Sequence, residues 1–518
     1  MNQIERHDQF DIDKIRKQIS EVTTTSESKP AAQSKPLNPY AARIASQFAL
    51  DSKKPSIIAG FIRIGEALLV AATCAGFYLA APEAHVLGAP AVLLIAIATG
   101  IFATVLTQVL DGYLFPVLRS PRRGIPRAAG SLVAAGLLFC LIVLYRGGSA
   151  SALFASGAVG VAVGAGLLSL ERAFIGYAIR RWTRNGFMER RAVIVGGGAP
   201  ARDLIREMES ISDNDIRICG IFDDRDDRRS PDMVAGYPKL GTFDELVEFA
   251  RTARIDILII ALPLSAELRI LELLRKLWVL PVDIRIAAHS SKLRFRPRAY
   301  SRIGKVSMLD VFDKPIADWD SVAKRIFDIV FSLVAIALLW PIMLAAALAV
   351  KFTSKGPIIF KQKRHGFNNE IVEIYKFRSM YSEMSDPTAR QAVTKNDPRV
   401  TPVGRFIRKA SIDELPQFFN VLQGRLSLVG PRPHAVAAQT QDRVYVEVVD
   451  TYFARHRVKP GVTGWAQING WRGEIDTDEK IRGRIAADLY YIENWSLWLD
   501  LKILILTPIR LLKTDNAY

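Results

Sequence analysis

Apolar residues are concentrated in four runs within the first third of the chain, near residues 57–80, 89–110, 128–145 and 152–170. Each run has about the 20 residues that an α-helix needs to cross the hydrocarbon core of a membrane. Residues 1–55, which precede them, are polar and contain no such run, and this favours a disordered tail without a signal peptide. The pattern therefore predicts a polytopic membrane protein with a bundle of four transmembrane helices over residues 56–172.

The loops between these runs carry their positive charge unevenly. Residues 81–90 contain neither Lys nor Arg, whereas residues 111–127 contain several arginines and the fourth run leads into several more. Positively charged loops stay on the cytoplasmic side of a membrane. The N terminus, the 111–127 loop and everything after residue 172 are therefore predicted to face the cytoplasm.

Between residues 188 and 310, short apolar strands alternate with amphipathic helices, which predicts a small α/β, Rossmann-like cytoplasmic domain with a parallel sheet. The turn after its first strand carries Gly196, Gly198 and Ala201 in a G-x-G-x-x-A pattern, and Asp223 and Asp224 end the next strand. This arrangement is typical of a nucleotide-binding loop with an acidic ribose ligand. The same glycines also suit a tight turn with close helix packing, so both interpretations stay open.

A fifth apolar run, within residues 320–351, is long enough to cross the membrane but contains Pro341. Lys or Arg flanks both of its ends, so the charges favour neither side of the membrane. Proline removes a helical hydrogen bond and favours a bend. We predict a re-entrant membrane hairpin broken at Pro341, with a proline-kinked full crossing as the alternative.

The remaining residues, 352–518, are predicted to form a mostly helical α+β domain. Its first part is rich in Lys and Arg, as is the whole chain, whose formal net charge is +17. Beside a membrane element this charge favours anionic lipid or a phosphorylated ligand, and nothing resembles a nucleic-acid-binding module. Residues 489–513 mix Tyr and Trp with Leu and Ile, which is typical of an interfacial membrane helix or of ordinary core packing.

The segment ASIDELPQFF (410–419) places two carboxylates, Asp413 and Glu414, side by side at a predicted helix start. Ser411 and Glu414 fit a capping box. Adjacent carboxylates without nearby Cys or His do not indicate zinc, but they suit Mg²⁺ held by one or two carboxylates and substrate phosphates. An aspartate can also be a nucleophile toward phosphorus. A structural cap and a phosphoryl-transfer site are thus compatible here.

Three stretches resemble a known family: KFRSM (376–380), NDPRVTPVGRFIRKASIDELPQFFNVLQGRLSLVGPRP (396–433) and RHRVKPGVTGWAQINGW (455–471). They are similar to the bacterial polyprenyl-phosphate sugar-phosphate transferases, the initiating phosphoglycosyl transferases. The resemblance extends from about residue 320 to the C terminus. Four spans followed by a Rossmann-like domain resemble the large members of this family, which transfer glucose phosphate.

This resemblance implies transfer of a hexose 1-phosphate from a UDP-sugar to undecaprenyl phosphate, with release of UMP, as the first membrane step of exopolysaccharide, capsule or O-antigen synthesis. Glucose is the expected sugar and galactose the alternative. Asp413 would be the nucleophile that forms a phosphoryl-aspartate, and Asp413 and Glu414 would bind Mg²⁺. The expected phosphate-binding residues are Arg432, Arg399, Lys376 and Arg378.

The resemblance also implies a location and partners. It places the protein in the bacterial inner membrane with its catalytic domain on the cytoplasmic face, in contact with membrane lipid. Homo-oligomers and contacts with polysaccharide-assembly proteins are further expectations.

Two other classes of protein share some of these sequence features. Membrane-anchored nucleotide-sugar dehydratases also join four spans to an NAD-binding Rossmann domain, but they need a Tyr-x-x-x-Lys pair. No tyrosine of this chain has a lysine four residues later. A non-catalytic regulator of polysaccharide assembly would leave the adjacent Asp413 and Glu414 and the basic motifs around them unexplained.

Overall fold

A computed structural model describes the chain over residues 36–48, 55–80, 88–184, 189–210, 216–225, 232–263, 266–287, 300–303, 306–384, 397–434, 439–440, 443–444, 452–471, 473 and 477–512. The chain forms two compact units. One contains the apolar helices between residues 51 and 190, and the other contains nearly all of the remaining described residues.

The first helix, α1 (Pro39–Gln47), lies inside the predicted tail 1–55, so that prediction is wrong for this part of the chain. Asn38 caps α1 by accepting a hydrogen bond from the Ala41 amide at 2.8 Å, and its own amide group donates to the Leu240 carbonyl of the α/β domain. Ala41 and Ala45, one turn apart, are fully buried. So short a helix with alanines on its packed face leaves no apolar run in the sequence. Residues 1–35 lie outside the described residues.

The apolar unit contains α2 (Pro55–Leu79), α3 (Ala89–Val109), the short α4 (Phe115–Arg119), α5 (Pro121–Tyr145) and α6 (Ala150–Arg184). Helices α2, α3, α5 and α6 are long and apolar enough to cross a membrane, which agrees with the prediction of a membrane protein. Helix α2 contacts α3 and α6, and α5 contacts the same two helices. Helices α5 and α6 extend beyond the predicted runs because helical structure continues into their arginine-containing ends.

The α/β domain is built on an eight-stranded sheet with strand order β3-β4-β2-β1-β5-β6-β8-β7. Its strands are β1 (Arg190–Val195), β2 (Ile216–Phe222), β3 (Met233–Val234), β4 (Tyr237–Gly241), β5 (Ile257–Ile260), β6 (Asp283–Ala287), β7 (Tyr300–Ile303) and β8 (Val306–Phe312). Its helices are α7 (Ala199–Glu209), α8 (Phe243–Thr252) and α9 (Glu267–Leu277). The predicted parallel pairing is confirmed for β1–β5, β5–β6 and β2–β4, whereas β3, β7 and β8 join antiparallel.

A single 36-residue helix, α10 (Asp318–Thr353), follows the α/β domain and contains Pro341. It is the fifth helix in the described chain that is long and apolar enough to cross a membrane. The buried residues of α10 are polar before Pro341 and apolar after it. They are Lys324, Asp328 and Ser332 before the proline, and Met343, Ala346 and Val350 after it.

The C-terminal domain is mostly helical with short strand pairs, as predicted. Strands β9 (Ile359–His365) and β10 (Ile371–Phe377) form an antiparallel hairpin. The elements that follow are α11 (Pro402–Lys409), α12 (Gln417–Leu422), β11 (Ser427–Val429), β12 (Gln439–Thr440), β13 (Arg443–Val444), β14 (Gly461–Thr463), α13 (Trp465–Ile468), α14 (Asp478–Glu493) and α15 (Leu497–Leu512). Strand β11 pairs in parallel with β14.

A buried ion network fixes α10 to this domain. The Lys324 ammonium lies 2.7 Å from the Asp500 carboxylate of α15 and 3.1 Å from Asp328, and it donates to the Val429 carbonyl at 3.2 Å. The Tyr491 hydroxyl donates both to Asp500 and to the same Val429 carbonyl. Because buried charges are stable only when paired, this network holds α10, α15 and the end of β11 together.

Candidate active site

The two adjacent carboxylates lie in a tight 3₁₀ turn, Ile412–Glu414, between α11 and α12. The predicted capping box is wrong: Ser411 has a left-handed backbone with φ of +56°, and its side chain makes no capping hydrogen bond. Helix α12 instead begins at Gln417, after Pro416. Instead of completing a capping box, the Glu414 carboxylate binds the side chains of Lys376 and Arg432.

Glu414 is held by two cations. The Lys376 ammonium at the end of β10 lies 2.8 Å from Glu414 Oε1. The Arg432 guanidinium bonds both oxygens, with Nη1 3.1 Å from Oε2 and Nη2 2.5 Å from Oε1. Burial alone would raise the pKa of Glu414, but the charges and hydrogen bonds of Arg432 and Lys376 hold it well below its usual range. Glu414 is therefore ionised throughout the physiological pH range.

Asp413 differs from Glu414 in both its contacts and its pKa. Its side chain is only 8% exposed, and within the described residues its carboxylate accepts no hydrogen bond. Burial raises the pKa of Asp413 to about 6, against the opposing charges of Lys376, Arg408 and Arg432. Asp413 is thus ionised at neutral pH but poorly solvated, as suits a nucleophile.

A buried asparagine that the sequence analysis did not single out brings this turn to β10. Asn420 of α12 accepts a hydrogen bond from the Tyr375 amide at 2.8 Å and donates to the Glu373 carbonyl at 2.9 Å. It thereby ties α12 to the strand that carries Lys376. The only signal in the sequence is a polar residue within the apolar stretch PQFFNVL.

The other two predicted phosphate ligands have different partners. The Arg399 guanidinium forms an ion pair with Asp397, with Nη2 2.6 Å from Oδ2. The Arg378 guanidinium donates to the carbonyls of Ser354, at 2.7 Å, and Pro357, and so holds the chain that follows α10. The structure thus gathers Lys376 and Arg432 around Glu414. A phosphate-binding role for Arg399 and Arg378 stays a prediction.

In the α/β domain, the predicted nucleotide-binding loop is hydrogen-bonded to Asp223, one of the two predicted ribose ligands. Gly196 has a φ of +108°, which only glycine adopts without strain. The Gly197 amide donates to Asp223 Oδ2 at 2.7 Å, and Asp223 is fully buried. Gly198 precedes α7, and the fully buried Ala201 lies in its first turn. Asp224, the second predicted ribose ligand, accepts from the Phe243 amide. Nucleotide binding here stays a prediction.

Fold and site together define a class: a membrane-type protein whose buried carboxylate pair, one member held by cations, is suited to phosphoryl transfer. A family model described as bacterial sugar transferase matches residues 319–514, and one described as CoA-binding domain matches residues 108–288.

Several known proteins are similar in sequence over much of the chain. A UDP-glucose:undecaprenyl-phosphate glucose-1-phosphate transferase of Xanthomonas campestris pv. campestris is 36% identical over 82% of this chain and 88% of its own. A protein of the same name from Escherichia coli K12 is 38% identical over 65% of this chain and 71% of its own. The match to the undecaprenyl-phosphate glucose phosphotransferase of Komagataeibacter xylinus, 38% identical, covers 68% of this chain and 64% of that protein. The chain belongs to the bacterial sugar transferase family.

Proposed function

We propose that this enzyme transfers glucose 1-phosphate from UDP-glucose to undecaprenyl phosphate, releasing UMP and forming undecaprenyl-diphosphate-glucose. The observation that carries the proposal is the unequal carboxylate pair: Glu414 is ion-paired with Lys376 and Arg432, while Asp413 is buried and accepts no hydrogen bond from the described residues. The relatives named for glucose transfer include the one that covers 82% of the chain. The dehydratase and regulator alternatives find no support in these relatives.

The reaction proceeds in two displacements at one phosphorus atom. In the first, an Asp413 carboxylate oxygen attacks the β-phosphorus of UDP-glucose, the bond from that phosphorus to the bridging oxygen breaks, and UMP leaves. This step forms a glucose-phosphoryl-aspartate. In the second, a phosphate oxygen of undecaprenyl phosphate attacks the same phosphorus and releases the Asp413 carboxylate. Such covalent catalysis divides one difficult displacement into two easier ones.

The cations beside Glu414 provide the electrostatic part of catalysis. Arg432 presents a planar fork that matches phosphate oxygens, and Lys376 adds a second positive charge. In the absence of substrate, the Glu414 carboxylate pairs with both cations. A diphosphate that enters the site would share these donors, and charge that develops on the transferred phosphoryl group would be stabilised.

Mg²⁺ is the proposed cofactor, and the residues present fit it. The described residues hold no group of three or more His, Cys, Asp or Glu that could bind a metal by themselves. Mg²⁺ is commonly bound through one or two carboxylates plus substrate phosphates, which Asp413 and Glu414 could provide. The ion would neutralise charge on the diphosphate.

We also propose that α10 is a re-entrant hairpin with its bend at Pro341. Before the proline, the Arg325 guanidinium donates to the carbonyls of Val421 and Leu422 at 2.5 and 2.6 Å. After it, Val350 belongs to an apolar cluster that packs against Ile412. Both halves of α10 therefore contact one short segment, residues 412–422.

The lengths of these two segments support the bend. A straight α-helix would separate Arg325 from Val350 by about 37 Å. The helical turns between Ile412 and Leu422 extend only about 15–20 Å. A bend brings the two halves of α10 together and returns the chain to the cytoplasmic face of the inner membrane. Helix α15, which exposes Trp498, Ile505 and Ile509, would lie at the same surface.

Side-specific labelling tests this topology. In a chain whose own cysteines are replaced by alanine, Lys409→Cys should react with a membrane-impermeant maleimide only from the cytoplasmic side. Arg146 follows the third predicted span, so it should lie on the side of the membrane opposite to the cytoplasmic 111–127 loop. Arg146→Cys is therefore the control that should react from the periplasmic side. Labelling of Lys409→Cys from the periplasm would contradict the hairpin and favour a full crossing.

The activity is tested by UMP release in detergent with Mg²⁺ and undecaprenyl phosphate. UDP-glucose should give the highest kcat/KM in a panel that includes UDP-galactose, and Asp413→Ala should abolish release. A higher kcat/KM for UDP-galactose would reassign the sugar, since one relative is named for galactose transfer. Absence of release from every UDP-sugar would contradict the proposed reaction.

A further inference from the structure

The turn that carries Arg432, Gly430–His434, cannot stabilise itself. Two of its five residues, Pro431 and Pro433, have no backbone N–H and cannot donate hydrogen bonds within the turn. Buried backbone carbonyls nevertheless need donors. The donors for this turn must therefore come from other segments of the chain.

Backbone amides and side chains of other segments both supply these donors. The Gly461 amide donates to the Pro431 carbonyl at 3.0 Å and the His365 amide to the His434 carbonyl at 3.3 Å. Arginine side chains reach the two carbonyls between them. The Arg455 Nη2 atom donates to the Arg432 carbonyl at 2.6 Å. The Arg364 Nη1 atom of β9 donates to the Pro433 carbonyl, also at 2.6 Å. Guanidinium groups therefore hold the carbonyls of Arg432 and Pro433, and the Arg455 contact lies on the residue that binds Glu414 itself.

Arg455 is in turn oriented by a buried acid. Its side chain is 1% exposed, and the Nη2 atom that reaches the Arg432 carbonyl also lies 2.6 Å from Oδ2 of Asp488 in α14, which is likewise 1% exposed. The Nη1 atom contacts the ring of His434, with 2.6 Å to Nδ1 and 2.9 Å to Nε2. Burial and the Arg455 charge lower the pKa of His434 well below its usual range, so its ring is neutral and one of its two nitrogens can accept a hydrogen bond from Arg455.

We propose that Arg455, oriented by Asp488, is a positioning residue that sets where the Arg432 guanidinium meets Glu414 and the substrate diphosphate. It does not touch the reacting atoms; it acts through the Arg432 backbone. Sub-ångström misplacement of such a fork weakens both of its hydrogen bonds, which is why a distant residue affects the rate. The inference rests on the proposed function of Arg432.

A double-mutant cycle separates positioning from simple structural support. Removing Arg455 alone would leave Asp488 buried and unpaired, so Arg455→Met is combined with Asp488→Leu, which replaces the ion pair with apolar side chains of similar size. The pair variant is made with Arg432 present and in an Arg432→Ala chain. The kcat/KM for UMP release from UDP-glucose and the melting temperature are measured in each.

Positioning predicts a loss that depends on Arg432. The pair variant should lose about 10- to 100-fold in kcat/KM when Arg432 is present, and less than about threefold in the Arg432→Ala chain, because coupled residues are not additive. Equal losses in both backgrounds, or no loss in either, would overturn the proposal. Arg455→Lys, which keeps the charge but not the fork, should give a smaller loss with the same dependence, and it decides the matter if the pair variant does not fold.

Arg457 provides the matched control. It lies two residues away in the same segment, is also buried, and donates to a carbonyl, that of Asp313, at 3.1 Å in the α/β part of the chain. Arg457→Met should change kcat/KM by the same factor whether or not Arg432 is present.

The same cycle is repeated on the Kd of UDP, measured by calorimetry, because binding needs no turnover. Absence of UMP release from the wild-type enzyme would refute the proposed function. In that case the dependence of UDP affinity on Arg432 would still decide whether Arg455 positions it.

Discussion

Two regions of this chain have the sequence features of a phosphate site, and the structure treats them differently. At the candidate active site, the acid Glu414 is bound by the charged side chains of Lys376 and Arg432. At the glycine loop of the α/β domain, the acid Asp223 is bound by a backbone amide of that loop, that of Gly197.

The difference concerns what each acid leaves available. Glu414 keeps two cations in place that a diphosphate can share, and Asp413 beside it accepts no hydrogen bond in the part of the chain that the structure describes. Asp223 accepts from the Gly197 amide with one oxygen and from the Arg225 amide with the other, so it closes a turn. The comparison teaches that an acid near a glycine loop or a helix start gains a chemical role from the charges that surround it.

The largest expected effect on this comparison comes from Glu414→Gln. An amide cannot neutralise Lys376 and Arg432, and it is a poorer ligand for Mg²⁺, so transfer should fall about 100- to 1000-fold, as for loss of a key electrostatic group. Initial rates of UMP release measure this. Ser411→Ala is the control, because the Ser411 side chain caps no helix, and it should stay within about threefold. If Ser411→Ala were the more impaired variant, the conformation of the turn would matter more for transfer than the charge of Glu414.

Arg432→Gln is expected to be next, with about a 100-fold loss of kcat/KM because one bidentate cation is removed from the transferred phosphate. It should also move the acid limb of the pH profile upward, since the Arg432 charge lowers the pKa of Asp413. An unchanged acid limb in this variant would mean that Arg432 does not act on Asp413.

The wild-type enzyme should show a smaller, pH-dependent effect. Burial raises the pKa of Asp413 to about 6, and only the ionised carboxylate attacks phosphorus, so kcat/KM should fall as pH drops through about 6. The same shift has the opposite sign for folding. Because the folded state binds this proton more tightly, the stability contributed by Asp413 is lost as pH rises toward 6. A flat kcat/KM between pH 5 and 7 would contradict the assignment.

The smallest effect on transfer is expected at the other region. Asp223→Asn weakens the bond to the Gly197 amide and should lower the free energy of unfolding by about 1–3 kcal/mol, as for a buried bond to a charged group. The rate of transfer at saturating substrate should change less than about twofold. Denaturant unfolding and UMP release measure the two quantities. A large loss of transfer without loss of stability would show that the glycine loop takes part in catalysis.

Much of the fold could be predicted from the sequence because the strongest signals are local. Apolar runs located the membrane-type helices, and the alternation of strands and helices located the parallel strands of the α/β domain. Helix α1 was missed because Ala41 and Ala45 leave no apolar run. The antiparallel strand β8 was missed because its pairing depends on its neighbours β6 and β7, not on its own pattern.

The candidate site divides in the same way. The position of Asp413 and Glu414 was evident from the motif, but the local pattern at Ser411 predicted a capping box. Tertiary contacts with Lys376 and Arg432 displaced that local bond, and no spacing in the sequence reveals a contact between residues so far apart. For the same reason, the motif 455–471 does not reveal what its first residue, Arg455, does: that depends on the carbonyl that Arg455 reaches.

The central claim is that Asp413 carries the transferred group, and the most direct measurement is to trap it. The enzyme is incubated with UDP-glucose and Mg²⁺ without undecaprenyl phosphate, quenched in acid, and digested for mass spectrometry. The account predicts a hexose-phosphate adduct on the peptide that contains Asp413, sensitive to hydroxylamine, present with Ser411→Ala and absent with Asp413→Asn. An adduct on another residue, or lipid-dependent UMP release with no adduct and with Asp413→Asn still active, would contradict it.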